Sequence, residues 1–278
     1  MSGIAIVTVS YHSDDVLPAM LDSIPGAVSE PYQVVVVDNA SDVALESAVA
    51  GRAATRRLDP GSNLGYGGAV NAARALLANP EWILVVNPDV VFEPGSIDAL
   101  LATGRQNPLA GSVGPLISGA DGAPYPSARK LPSLRTGIGH ALFVRFWPAN
   151  PWTASYREDD VPRSQAREAG WLSGACLMVR REAFDAIGGF DDGFFMYFED
   201  VDLGRRLGLA GWRNIFEPSS RIFHSGAHST ARESRRMLDA HHRSAYRYLS
   251  KRYHQWYLWP VRVVLRAALA MRRRITSW

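Results

Sequence analysis

The sequence predicts an α/β fold built on a mostly parallel sheet. Three observations carry that reading. Apolar, β-branched runs alternate with helical segments from residue 3 to about residue 117. Two of the runs, 33–38 and 82–86, stop abruptly in polar turns, Asp38-Asn39-Ala40-Ser41 and Asn87-Pro88-Asp89. Between them lies a glycine-rich helix start, Asn63-Leu64-Gly65-Tyr66-Gly67-Gly68-Ala69-Val70-Asn71. Strand–helix alternation means parallel strands joined by right-handed crossovers. Apolar runs without polar alternation mean strands buried on both faces.

The first strand, 4–10, begins almost at once, with no basic segment or cleavage site before it, so no signal peptide is expected. The second, 33–38, has valine at its four central positions. A third is short, 56–59. The helix opening at Gly65 runs to about Leu77. Glycines at a helix start let backbone amides approach a diphosphate or a nucleoside. This start is not a Walker motif, because no Gly-Lys-Ser/Thr follows, and its glycine spacing is not the dinucleotide fingerprint. The fourth strand, 82–86, ends in Asn87-Pro88-Asp89. Pro88 has no N–H and leaves the ladder. Asp89 is therefore presented on a turn past the carboxyl end of a strand, where α/β sheets bind ligands. A lone carboxylate there suits a divalent cation that also holds phosphate oxygens. It equally suits a turn Asp bonded to its own backbone. A fifth strand, 112–117, closes the alternating part.

From 119 to 168 the pattern is lost. Six prolines occur there among basic and aromatic residues, which reads as an irregular connection or as a lid on the substrate side. Regular structure returns with a strand at 171–179 and a short helix at 182–187. Then comes the most unusual stretch, 188–202. Five carboxylates (Asp191, Asp192, Glu199, Asp200, Asp202) stand among Phe190, Phe194, Phe195, Met196, Tyr197 and Phe198. Carboxylates held against apolar walls are where proton transfer is tuned. A helix over 203–209 puts Glu199 and Asp200 near its N-terminus, where the dipole favours the ionised form. The alternative is an acidic helix start with an Asp202–Arg206 surface pair. A strand at 214–217 and a long polar helix from about 230 to 252 follow. His224, after Ile222-Phe223, is a core or capping histidine or a metal ligand. His228, His241, His242 and His254 read as surface residues.

Taken as a set, the first strand, Val-Asp-Asn-Ala-Ser, Asn-Leu-Gly-Tyr-Gly-Gly, Asn-Pro-Asp and Phe-Glu-Asp-Val-Asp resemble glycosyltransferase family 2, whose members are inverting, metal-dependent enzymes with a GT-A fold. Trp171-Leu172-Ser173-Gly174-Ala175-Cys176 and His224-Ser225-Gly226 resemble its bacterial rhamnosyltransferase branch. The likeness runs in order over residues 3–250. One position departs: the metal turn often reads Asp-x-Asp, and here Asn87 stands first. The resemblance implies that Asp200 is the base, with Glu199 orienting the acceptor. It implies that Asp89 and His224 hold Mn2+ or Mg2+. It places the base and ribose of the donor at Asp38, Asn39 and the backbone of Val9, Ser10 and Tyr11. Gly65, Gly68, Asn71 and Asn87 shape the nucleotide-sugar pocket, and Trp171, Ser173 and Gly174 meet the acceptor. It also implies a dTDP-rhamnose donor and a lipid-linked saccharide acceptor, in cell-wall or surface polysaccharide synthesis.

Composition fits a globular catalytic domain. Apolar content is 47% and charged content 21%, both ordinary. The single cysteine, Cys176, excludes an intrachain disulfide and favours a reducing compartment. No 18-residue uncharged apolar run spans a bilayer. The expected organisation is a catalytic domain over 1–229 and a helical extension over 230–278. In that tail Tyr and Trp interleave with basic residues up to Trp259. Beyond Pro260, a helix carries Arg262, Arg266 and Arg273 roughly opposite Val264, Leu265, Ala268 and Met271. Such a helix lies on an anionic membrane, which places the chain in the cytoplasm, peripheral on the inner face of the cell membrane. An oligomer contact is another reading. Nucleic acid is disfavoured by a net charge of only +3 and the absence of a nucleic-acid motif. Two other function classes stay open: a silent nucleotide-sugar-binding regulator and a sugar nucleotidyltransferase. The second would need a basic glycine-rich loop after the first strand, where Tyr11-His12-Ser13-Asp14-Asp15 stands instead.

Overall fold

A computed structural model of the chain describes residues 3–40, 43–52, 54–133, 164–226 and 234–275. Ser41, residues 134–163 of the proline-rich segment, His228 and residue 230 lie outside the described residues, as do the side chains of Ala268, Met271 and Arg273. The chain begins β1 (Ile4–Ser10), α1 (Leu17–Ala27), β2 (Tyr32–Asp38), α2 (Val43–Val49), β3 (Thr55–Leu58), α3 (Gly65–Ala73) and β4 (Trp82–Val86). It continues with β5 (Val90–Phe92), α4 (Ser96–Gln106), β6 (Ala110–Ser118), β7 (Pro124–Tyr125) and β8 (Ala128–Arg129). Then come β9 (Arg167–Ala169), β10 (Trp171–Leu172), β11 (Cys176–Arg180), α5 (Arg181–Ala186) and α6 (Glu199–Leu209). Last are β12 (Arg213–His224), α7 (Ser234–Arg252) and α8 (Trp259–Ile275).

The main sheet runs β3-β2-β1-β4-β11-β6-β12-β5, with β7 on β6 and β9 on β12. Its first four strands are parallel, as the alternation predicts. Beyond β4 it becomes mixed. β11 enters at the carboxyl end of β4, where the Asn87 N–H donates to the Ala175 carbonyl at 2.9 Å. It must therefore run back along β4, antiparallel to both β4 and β6. The predicted strand 171–179 is thus two strands: β10 pairs with β8 in a separate ribbon, and 173–175 form the bend between. β12 is far longer than the predicted 214–217. Pro218 cannot donate to the ladder, and the register shifts between Glu217 and Arg221 before pairing resumes toward His224.

Side-chain alternation divides two cores. Ile4, Ile6, Val34, Val36, Trp82 and Leu84 face α1 and α4, whereas Val7, Val35, Ile83 and Val85 face α3, α5 and α6. The sheet is thus sandwiched between two helical layers. A smaller cluster joins Phe194 and Val201 to Tyr248 of α7, which is 1% exposed. Ion pairs reinforce that join: Lys251 Nζ reaches Asp191 and the buried Asp202, each at 2.6 Å. Asp202 also meets Arg206 at 2.7 Å, so the expected helical pair forms, but in the interior. α8 folds back on α7. Arg262, expected on a basic outer face, instead donates to the Tyr253 and Gln255 carbonyls at 2.8 and 3.0 Å. Those carbonyls lie beyond the end of α7 and need donors, which a nearby guanidinium supplies. Among the described residues no helix is long and apolar enough to cross a membrane.

Candidate active site

Parallel strands deliver their carboxyl ends to one edge of the sheet. Val9 and Tyr11 after β1, Asn39 after β2, and Asn87 with Asp89 after β4 line a cavity of about 560 Å3. Gly65 and Tyr66 at the start of α3 form part of its wall, as do Ser173 and Gly174 of the bend. Glu199 and Asp200 arrive on the first turn of α6, and His224 on the end of β12.

Asp89 and His224 meet directly, with Oδ1 3.1 Å from Nε2. Asn87 Nδ2 lies 3.2 Å from the same ring nitrogen. The other Asp89 oxygen accepts from the Ser225 hydroxyl and the Gly226 N–H, both at 2.9 Å. Burial would raise the Asp89 carboxyl, but the contacts from His224, Ser225 and Gly226 outweigh it and hold the carboxyl below its ordinary value. Nε2 has a single in-plane position, which either donates a proton to Asp89 or offers a lone pair to the Asn87 amide or to a cation, and so cannot serve Asn87 and Asp89 at once. Among the described residues no three His, Cys, Asp or Glu side chains cluster to cage a metal alone. The pair suits instead an ion that completes its shell from diphosphate oxygens and water.

Glu199 and Asp200 follow an unusual turn. Tyr197 and Phe198 both have left-handed backbones, φ 67° and 65°, at about 1–2 kcal/mol each. Helix α7 over-determines that turn. His241 packs at 5.5 and 5.4 Å from the two rings, Tyr248 packs on Phe198 at 5.7 Å, and Ser244 Oγ donates to the Met196 carbonyl at 2.8 Å. The two carboxylates then find different surroundings. Asp200 is raised by burial, but Oδ2 accepts from the Gly174 N–H at 2.9 Å and Oδ1 from the Val201 N–H at 2.8 Å, which oppose the rise. Glu199 is raised by burial and then by the charge of Asp200, and its buried Oε2 has no hydrogen-bond partner. Amide donors favour an ionised carboxylate, and burial without them favours a neutral one. Both carboxyls are therefore raised, but only that of Asp200 has amide donors from other residues opposing the rise. Tyr66 stays neutral, raised by burial and then by these two carboxylates, and its hydroxyl donates to the Gly174 carbonyl at 2.6 Å.

Five residues read from the sequence as part of the site lie off the cavity wall. Asp38 is fully buried, its Oδ2 bound to Arg57 Nη2 at 2.7 Å and its Oδ1 accepting from the Ala40 N–H. A neighbouring strand supplied the cation, so its carboxylate is spent locally. Asn71 clamps the acidic segment to α3 through the Phe190 backbone and the Asp192 carboxylate, at 2.7–3.0 Å. Gly68 faces Leu64 and Asp192. Ser10 is buried in β1. Trp171 donates to the Lys130 carbonyl at 3.1 Å, and its Cβ packs against Gly204. Sequence reasoning missed Tyr66, Tyr125, Met196, Tyr197 and Met237 on the wall. Tyr66 had a signal, a lone aromatic inside the glycine run; Met237 of α7 had none.

Comparison with known proteins agrees with this geometry. Residues 2–247 match the family described as glycosyltransferase like family 2. The N-acetylglucosaminyl-diphospho-decaprenol L-rhamnosyltransferase of Mycobacterium tuberculosis is 46% identical over 281 residues, covering 97% of this chain and 91% of the relative. Among solved structures, the mannosyltransferase PcManGT of Pyrobaculum calidifontis, in complex with GDP-Man and Mn2+, superposes with a TM-score of 0.56 at 18% identity, over 96% of this chain and 75% of that one. GalNAc-T7 with UDP, GalNAc and Mn2+ gives 0.58 at 13% identity over 81% of this chain; the match spans 44% of its own length. These neighbours share the GT-A fold. With the parallel half-sheet, the cavity at its strand ends and the match over nearly the whole chain, the protein is a glycosyltransferase that belongs to the glycosyltransferase-like family 2.

Proposed function

We propose that the chain transfers L-rhamnose from dTDP-rhamnose to a saccharide carried on a polyprenyl diphosphate, with inversion. The mycobacterial relative, 46% identical over nearly all of this chain, supports the sugar and the acceptor class. One observation carries the chemistry: Asp200 stands in the cavity with both oxygens held by backbone amides. In the proposed reaction the acceptor hydroxyl oxygen attacks the anomeric carbon. Its proton passes to Asp200, while the bond between that carbon and the diphosphate breaks and the nucleoside diphosphate leaves. Glu199 keeps its proton and hydrogen-bonds the acceptor sugar through the otherwise unpartnered Oε2. Val9, Tyr11, Asn39 and Gly65 form the nucleoside side of the pocket. Asp38 acts from beneath by fixing the turn that carries Asn39.

Asp89 and His224, with Asn87 beside them, are the residues that would hold Mn2+ or Mg2+. When bound, such an ion neutralises charge growing on the departing diphosphate. The Mn2+ in both structural neighbours supports a divalent ion in this fold. Burial of the diphosphate against Asp89 would otherwise set like charges together.

The exposure of Trp256 (81%), just ahead of α8, and of Trp259 (59%) and Val264 (68%) on it supports a peripheral membrane attachment through this helix, on the face where the lipid-linked acceptor resides. The reading is tested by incubating full-length protein with radiolabelled dTDP-rhamnose and N-acetylglucosaminyl-diphospho-farnesol, with manganese and with chelator. Metal-dependent rhamnosylation and release of dTDP are expected. Donor binding without dTDP release under any metal condition would make the chain a silent binding protein.

A further inference from the structure

A second cavity, about 880 Å3, opens beside the first. Its walls include Gly193 and Phe195 of the acidic segment, Arg243 and Arg247 of α7 and Arg266 of α8. The two cavities share a partition: Phe195 lines the second, and Met196 and Tyr197 line the first. Helix α7 serves both, with Met237 in the first and Arg243 in the second. At 1.5 Å rise per residue those positions stand about 9 Å apart along the helix.

The second cavity is basic. Arg247 is engaged, reaching Asp191 at 2.8 Å and stacking 5.3 Å from the Phe194 ring centroid. Arg243 and Arg266 are not so engaged. Arg243 Nε makes a long 3.4 Å bond to the Asp239 carbonyl of its own helix, and Arg266 hydrogen-bonds to none of the described residues. Asp239 adds one negative charge to the wall, which leaves it net positive. Guanidinium groups gathered in a concave site without carboxylate partners repel one another and favour a multiply charged oxyanion, which their forked donors match. Trp256, and Trp259, Val263 and Val264 of α8, expose apolar surface.

We propose that this cavity holds the diphosphate of the lipid-linked acceptor, with Arg243 and Arg266 as its ligands. The inference rests on the acceptor class proposed above. The acceptor sugar then reaches past Phe195 and Met196 toward Asp200, and the polyprenyl chain leaves over the apolar side chains of α8. The donor diphosphate lies elsewhere, against Asp89 and His224. One side of the protein thus holds two diphosphates apart, each with its own counter-charge.

The test compares full-length wild type with the double variant Arg243→Ala/Arg266→Ala. The probes are N-acetylglucosaminyl-diphospho-farnesol and the farnesyl glycoside of N-acetylglucosamine, which lacks the diphosphate. Binding is read by calorimetry. The variant should bind the diphosphate compound about tenfold more weakly, as lost charge-assisted contacts imply, and the glycoside as wild type does. In the transfer assay its acceptor KM should rise with kcat little changed, while donor affinity and thermal midpoint stay the same. Arg243→Lys/Arg266→Lys should recover part of the loss. Equal binding of the diphosphate compound by wild type and variant overturns the subsite, as does parallel weakening for both probes or a wild type indifferent to the diphosphate. If only binding to phosphatidylglycerol vesicles weakens, the cavity serves a bilayer headgroup and the proposal is wrong. If Arg243 and Arg266 govern diphosphate binding yet wild type transfers no sugar, the function proposed above fails and the subsite stands.

Discussion

The Gly174 N–H donates to Asp200 Oδ2 at 2.9 Å, and the carbonyl of the same residue accepts from the Tyr66 hydroxyl at 2.6 Å. One bend between two strands thereby ties the start of α3 to the start of α6 and supports the anionic form of Asp200. Asp200→Asn keeps the size of the side chain, removes the proposed proton acceptor and sets its NH2 against one of the two N–H donors. Sugar transfer should fall by about 10²–10⁴-fold, with donor affinity retained. Transfer within about threefold of wild type would move the role to Glu199.

Glu199→Gln should stabilise the fold in a pH-dependent way. Below the ordinary carboxyl value of 4.5 the Glu199 side chain is neutral in both folded and unfolded chains. Above it the unfolded chain releases the proton while the buried site retains it. Folding stability therefore falls as pH rises, until the folded carboxyl ionises too. Glutamine carries no such dependence. The Tm of the variant relative to wild type should climb between about pH 5 and about pH 8. A difference that is flat, or that shrinks, would show that Glu199 is solvated or charge-paired.

Asp89→Ala and His224→Ala should each weaken donor binding measured with manganese, and have little effect on binding measured with chelator. Each removes one of the two neighbouring ionisable side chains, among the described residues, that are proposed to hold the ion. Activity should vanish in excess chelator. Undiminished transfer there would leave Asp89 as a turn residue satisfied by Ser225 and Gly226.

Gly65→Ala should damage stability and transfer together. Gly65 has φ +73°, and a Cβ would stand 2.2 Å from the Phe195 carbonyl oxygen. That oxygen accepts from the Tyr66 N–H at 2.9 Å. The left-handed backbone alone costs an alanine about 1–2 kcal/mol, and the clash adds to it. A drop of several degrees in Tm is expected; an unchanged Tm would show that the 195–196 segment moves away freely.

Trp259→Ser/Val264→Ser should reduce flotation with anionic liposomes. Loss of two buried apolar side chains is worth on the order of 3 kcal/mol. Attachment of wild type should weaken with salt, since each basic side chain near the surface adds about 1 kcal/mol that ions screen. Removing residues 258–278 should leave the catalytic core folded. Wild-type protein that ignores such liposomes would assign the exposed face of α8 to a protein contact.

The sequence by itself determined the parallel half of the sheet. Strands buried on both faces must be continuous apolar runs, and 4–10 and 82–86 are legible to the residue for that reason. It also singled out Asn87, Asp89, Glu199, Asp200 and His224, because polar groups that directly follow an apolar run, or crowd among aromatics, stand out locally. Only the tertiary structure decided what each polar group is bonded to. Asp38 was read as a ligand residue, but Arg57, 19 residues away, takes its carboxylate. Asn71 was read into the pocket, but it holds a segment about 120 residues further on. Likewise no local pattern announced that β11 turns back at Ala175, or that α7 packs on the strained Tyr197-Phe198 turn. Periodicity records which side of an element is buried. Hydrogen bonds and ion pairs between distant segments depend on which surfaces the folded chain brings together, and one-dimensional spacing carries no trace of that.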